Sequence, residues 1–206
     1  MWLRRQFMAT DAYAIYGRFG TAEKVASLAQ PDAGRPMMLV GWRYARGEAA
    51  ARRGDAAAVK QEAAAIAALL AAGFSGPMAD EQKDFAGLFQ NVLEGRAAMI
   101  DGDFAAAVAA YGRAAEIQAK DDEGGDPPLV WYPTRRSLAA ALLASGDAAG
   151  ARAKVLELLV DWPSDPYSYF VLALAEDALG HADAAAEARR LGQVEWIGGE
   201  MTLPLA

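Results

Sequence analysis

Residues 95–114 read GRAAMIDGDFAAAVAAYGRA, and the Gly102-Asp103 step near their centre decides the fold. Alanine-rich runs flank that step, and alanine is the strongest helix former. A glycine just past a helix supplies the left-handed residue that ends it at low cost. An aspartate directly after it is a good N-cap for a following helix. The stretch therefore predicts helix, tight corner, helix. The same pair returns at Gly54-Asp55 and Gly146-Asp147, with weaker copies at Gly20-Thr21 and Gly180-His181. The five glycines are 34, 48, 44 and 34 residues apart. A hairpin recurring at such a period marks a stacked repeat array, with insertions in the two longer spacings.

Working outward from the corners gives five hairpins, over about 3–29, 37–72, 80–119, 131–161 and 166–195. Pro31, Gly34 and Pro36 break the chain after the first, and Gly73, Gly76 and Pro77 close the second. Phe85, Leu88, Phe89, Val92 and Leu93 recur at helical spacing within the third. The stretch KDDEGGDPP at 120–128 reads as a charged loop. Pro133 is expected in the first turn of the next helix, where proline is tolerated. Pro163 stops a helix, and Asp165-Pro166 opens the last hairpin as N-cap and first helical residue. The tail from Gly198 is expected to be irregular. No stretch shows strand-like alternation, so the class is all-α: an α-solenoid in one domain over 1–206.

Composition narrows the function classes. The chain has 206 residues, 27 acidic against 20 basic ones, and no cysteine. Thiolate metal sites and disulfides are thereby excluded. The acidic balance argues against a general nucleic-acid binder, which needs a surplus of cations against phosphate. Arg4 and Arg5 open the chain without an apolar run of signal-peptide length behind them. No stretch reaches membrane-spanning length without charge. The expectation is a cytoplasmic protein with no nucleic-acid and no membrane partner.

The residues around the corners resemble the tetratricopeptide repeat (TPR). The best copy runs Gly95, Gly102, Ala107, Tyr111 and Ala114. Others run Leu138, Ala139, Gly146, Ala151, Leu158, Pro163, then Tyr169, Leu172, Ala173, Gly180, Ala185. Earlier copies are Gly47, Gly54, Val59, Ile66 and, in part, Tyr13, Tyr16, Gly20, Val25. Trp131 to Leu138, Ala141-Leu142-Leu143 and Trp42 to Gly47 further resemble the C-terminal half of longer, mostly uncharacterised bacterial tetratricopeptide proteins. The resemblance implies a protein-binding scaffold and no reaction. In that family the first helix of each hairpin lines a concave groove. Carried over, the candidate groove comprises Tyr44, Glu48 and Arg52, then Phe89, Val92, Arg96 and Met99, then Arg136 and Leu143, then Tyr167, Phe170, Leu174 and Asp177. Arg96 and Arg136 are candidates to grip one carboxylate, because guanidinium matches carboxylate bidentately. Tyrosine, phenylalanine and arginine are also the types that anchor binding hot spots. The lysine-asparagine clamp that the family uses for chaperone C-termini is not present.

Catalytic and metal chemistry find little support. His181 is the only histidine, and in a predicted turn it reads as solvated. The carboxylates of Asp121 to Asp126 do not follow the alternating pattern of a calcium loop, so a solvated insertion is expected there. No metal or cofactor and no catalytic residue is assigned. Trp42, Trp131, Trp162 and Trp196 read as packing residues between repeats. The leading expectation is a non-catalytic module that binds a protein or peptide. A second is an assembly subunit, a homo-oligomer formed through the N-terminal helix, where Trp2, Leu3, Phe7 and Met8 stand at helical spacing. An enzyme is the third and least favoured.

Overall fold

The computed structural model describes residues 2–76, 78–121, 132–194, 196 and 198–201, with backbone alone for 2–7 and 121. These form ten helices and no strand: α1 (Trp2–Phe19), α2 (Ala22–Ala26), α3 (Pro36–Ala51), α4 (Ala56–Ala72), α5 (Ala79–Asp101), α6 (Phe104–Asp121), α7 (Thr134–Ala144), α8 (Ala148–Asp161), α9 (Pro166–Ala178) and α10 (Ala182–Gln193). The insertion at 122–131, with Trp131, lies outside the described residues. So does the tail beyond Met201.

Four corners share one hydrogen-bond pattern. Gly102 N–H donates to Met99 O at 3.2 Å and Asp103 N–H to Ala98 O at 2.9 Å. The equivalent pairs occur at Gly54-Asp55, Gly146-Asp147 and Gly180-His181. This is a Schellman ending, which satisfies carbonyls the helix leaves open. It requires a left-handed glycine, and Gly54, Gly102, Gly146 and Gly180 all have φ between 70° and 92°. Asp55, Asp103 and Asp147 then accept from Ala58, Ala106 and Gly150 N–H, the capping bond expected of them. Substituting Gly102 by valine should destabilise by about 1–3 kcal/mol, because a β-branched residue is strained at positive φ. Urea unfolding measures it, and an unchanged midpoint would remove the corner from the folding argument.

Three expectations need correcting. The Gly20 corner is not a fifth copy of the other four: Gly20 is not among the glycines of positive φ, and Thr21 caps α2 through its hydroxyl. α2 is only five residues long, where a helix over 21–29 is expected from the sequence. Pro133 sits outside α7 as its N-cap, in an extended conformation.

Helices pack on their chain neighbours: α3 on α4, α4 on α5, and so on to α9 on α10. The first helices of successive hairpins also touch, α1 on α3 and α3 on α5, then α7 on α9. Glycine permits the closest of these approaches. A Cβ on Gly41 would stand 2.7 Å from Thr10, and one on Gly17 2.7 Å from Ala45 Cα. Thr10 lies beside Gly41 and Gly17 beside Ala45, so α1 and α3 run parallel. The core divides at α7. Leu138 and Ala141 join a large cluster reaching back to α3 through Phe85, Phe89 and Tyr111. Ala139 and Ala140 join a smaller one with Val155, Val171, Leu172 and Ala188.

Candidate functional site

Most of the thirteen groove candidates are drawn together, but into the interior. Tyr44, Glu48, Phe89, Val92, Arg96, Met99 and Arg136 are all buried. Tyr44 stacks on Phe89 with ring centroids 3.8 Å apart, and Phe85 tilts against Phe89 at 4.6 Å. One turn further along α3 lies Glu48, fully buried. Its Oε1 accepts from Arg96 Nε at 3.2 Å and Nη2 at 3.1 Å. Arg96 also donates to Tyr132 Oη at 3.2 Å and Tyr111 Oη at 3.4 Å. α3, α5, α6 and the entry to α7 thus meet on a single guanidinium. Tyr44 Oη and Glu48 Oε2 make no hydrogen bond of ordinary geometry among the described residues.

The electrostatics follow from burial. Burial opposes charge on Arg96, but the Glu48 carboxylate together with the Tyr132, Tyr111 and Tyr44 hydroxyls outweighs it and holds the guanidinium charged well above its usual range. Burial pushes the Tyr44 and Tyr111 hydroxyls up, so both are neutral donors or acceptors. Burial lowers Arg136, with Asp165 opposing.

Arg136 occupies a second node. Its guanidinium lies over the Tyr132 ring at 4.9 Å and the Tyr167 ring at 5.1 Å, two cation–π contacts. Its Nη1 donates to Asp165 Oδ1 at 2.7 Å, while Asp165 caps α9 through Ser168 N–H. Tyr132 is held from below. Gln118 Nε2 donates to its carbonyl at 3.1 Å, and Gln118 Oε1 accepts from Thr134 N–H and Oγ1 at 2.7 Å each.

The remaining candidates are dispersed. Arg52 is exposed and donates to Gly20 O at 2.5 Å. Tyr167 is half-buried and meets Trp196 edge-on at 5.2 Å. Phe170, half-buried, walls a 330 Å³ pocket with Gly192, Gln193 and Met201. Leu143 and Leu174 are half-buried, and exposed Asp177 pairs with Arg189. His181, expected as a merely solvated residue, places Nδ1 2.7 Å from Glu176 Oε2. Arg152 Nε donates to the other oxygen of Glu176 at 2.7 Å. Burial pushes the Glu176 carboxyl up, but these two hydrogen bonds outweigh it and hold it below its usual value. Trp42 is buried, donates to Leu28 O at 3.0 Å and has the Arg43 and Arg46 guanidiniums 4.7 and 4.8 Å from its ring.

No family model matches the chain, and no curated protein or solved structure matches it either.

Sequence reasoning passes over one open surface. α4 and α6 do not pack on each other. Between them, floored by α5, runs a groove of about 470 Å³. Ala63, Ala64, Ala67, Ala97, Ala98 and Ala106 line it, with Glu94, Asp101, Asp103 and Lys60 at its edges. Lys60 pairs with Asp101 at 2.6 Å, and Glu94 with Arg113 at 2.8 Å. Alanines in a sequence read first as helix formers; nothing local tells which of them face an unfilled groove. Among the described residues no cluster of histidine and carboxylate could hold a metal ion. No described helix is long and apolar enough to cross a membrane.

Proposed function

We propose that this chain is a non-catalytic interaction module, a right-handed solenoid of about five antiparallel hairpins of the tetratricopeptide type that binds a protein or peptide. The observation that carries the reading is the α4/α6 groove. Its walls are small side chains and its floor is a rigid helix, so a partner with large apolar side chains fills it without displacing anything. The inward polar residues favour the same reading by their engagement. Arg96 and Arg136 are committed to Glu48 and Asp165, which suits a stiff scaffold better than a reacting site.

The test compares two forms of the full chain in a pull-down with mass spectrometry. Ala67, half-buried on the groove wall, is changed to arginine to fill the groove. The wild-type chain should retain partners that Ala67→Arg loses, with both giving the same helical circular dichroism. Partners retained equally by both forms, or by neither, would remove the groove from the function.

A further inference from the structure

After α10 the chain turns back on itself. Trp196 Nε1 donates to Gly199 O at 2.6 Å, so the indole lies along its own segment. A Cβ on Gly198 would stand 2.3 Å from that indole, and glycine is what lets the ring lie there. The same ring meets Tyr167 of α9 edge-on at 5.2 Å. Further on, Met201 is buried and walls the 330 Å³ pocket with Phe170 of α9 and Gly192 of α10. Gly198, Gly199 and Glu200, between these two apolar anchors, are exposed. Trp196 with Gly198 to Met201 thus forms a strap over α9.

The strap rests on α9 by apolar contact. Its hydrogen bonds among the described residues run within itself and back to Gln193 O, and none goes to α9. Lifting it off therefore leaves no described polar group of α9 without its partner. The Trp196–Gly199 bond travels with the strap. Its cover is also incomplete, since the pocket between Phe170 and Met201 is not filled. The face beneath is preformed. Tyr167 and Phe170 stand three residues apart, on one side of a helix. Arg136 lies over the Tyr167 ring at 5.1 Å and is itself tied to Asp165 at 2.7 Å. Those contacts hold the ring independently of Trp196, and a preorganised surface binds with little ordering cost.

We infer that the Tyr167–Phe170 face of α9 is a peptide-docking surface and that the strap is its internal competitor. The occupant is an extended segment of a partner protein with the strap's own chemistry. It carries an aromatic side chain for Tyr167, then small residues, then an unbranched apolar side chain for the pocket at Phe170. The strap demonstrates that such a segment fits, and a flexible thioether suits an irregular pocket. Tethering gives the strap a high effective concentration, so weak ligands are kept out. This face shares no residue with the α4/α6 groove, and neither reading depends on the other.

Fluorescence anisotropy tests it with the full chain and a labelled synthetic peptide of residues 194–201, VEWIGGEM. The wild type should bind the peptide weakly. Trp196→Ala removes an anchor of the strap and leaves α9 intact, so binding should tighten roughly tenfold as the open fraction grows. Gly198→Val is a second release variant, because its side chain drives the indole away. Gly198 is not among the glycines of positive φ, so valine suits its backbone, and this variant carries the test if Trp196→Ala folds poorly. Adding Phe170→Ala to either variant should return binding to the wild-type level or below, with the helical spectrum kept. A peptide with alanine in place of its tryptophan should not bind. Four results would overturn the inference. They are release variants that bind no tighter than wild type, a Phe170→Ala change without effect, an alanine-substituted peptide that binds equally well, and a wild type whose self-association in sedimentation is lost in Trp196→Ala. The last assigns the face to the strap of a second copy.

Discussion

Arg96→Met should destabilise the fold by about 3–5 kcal/mol, the cost of leaving a buried charge without its partner. Arg96 is 1% exposed and Glu48 is 0% exposed. Arg96 donates two hydrogen bonds to the Glu48 carboxylate. Methionine matches the apolar stem of arginine, so packing is largely kept and the loss is electrostatic. It also deprives the Tyr111 and Tyr132 hydroxyls of their shared donor. The double variant Glu48→Met plus Arg96→Met should recover most of the loss, because an apolar pair of similar volume removes both desolvation costs. Urea unfolding of the three forms decides the matter. A single variant that costs less than about 1 kcal/mol would class the pair with exposed ion pairs, whose contribution is small. The same geometry bears on recognition: an arginine held this way meets a ligand carboxylate only by giving up Glu48.

Phe89→Ala should cost about 3–5 kcal/mol, the range for deleting a buried aromatic ring. Phe89 is 1% exposed, stacked on Tyr44 and tilted against Phe85. Its removal empties the seam between α3 and α5 beside the Glu48–Arg96 pair. Gly47 already lets the Leu93 side chain press against the α3 backbone, so little collapse can refill the space. Phe170→Ala is the control, because Phe170 is half-buried at a pocket wall and should cost clearly less. Thermal unfolding of both gives the comparison. Equal losses would mean that Phe89 is not the core residue described here.

Where a single residue's local chemistry decides the conformation, the structure was legible in advance. Glycine at Gly54, Gly102, Gly146 and Gly180 and aspartate after three of them mark helix ends wherever they fall, and four corners formed alike. Gly20 misled because a glycine between helical runs need not be left-handed. The candidate site was legible only as a set. The tetratricopeptide resemblance singled out Tyr44, Glu48, Phe89, Arg96 and Arg136 on first helices of successive hairpins, and they do gather. One further signal was available: Glu48 and Arg96 each stand six residues before a corner glycine. Opposite charges at equivalent positions of adjacent repeats are placed to meet. Tyr132 and Gln118 carried no such mark, since they converge across an insertion that has no counterpart in the repeat.

The sequence by itself determined the helices, the corners between them and the all-α class, because capping, glycine conformation and alanine propensity act within a few residues. Only the tertiary structure decided which side chains are buried and which surface stays open. Depth depends on how far successive hairpins are rotated and separated, a sum of many packing contacts between distant residues. That packing turned Arg96 from an expected groove residue into the centre of a buried polar cluster. It also left the alanines of α4, α5 and α6 around a groove.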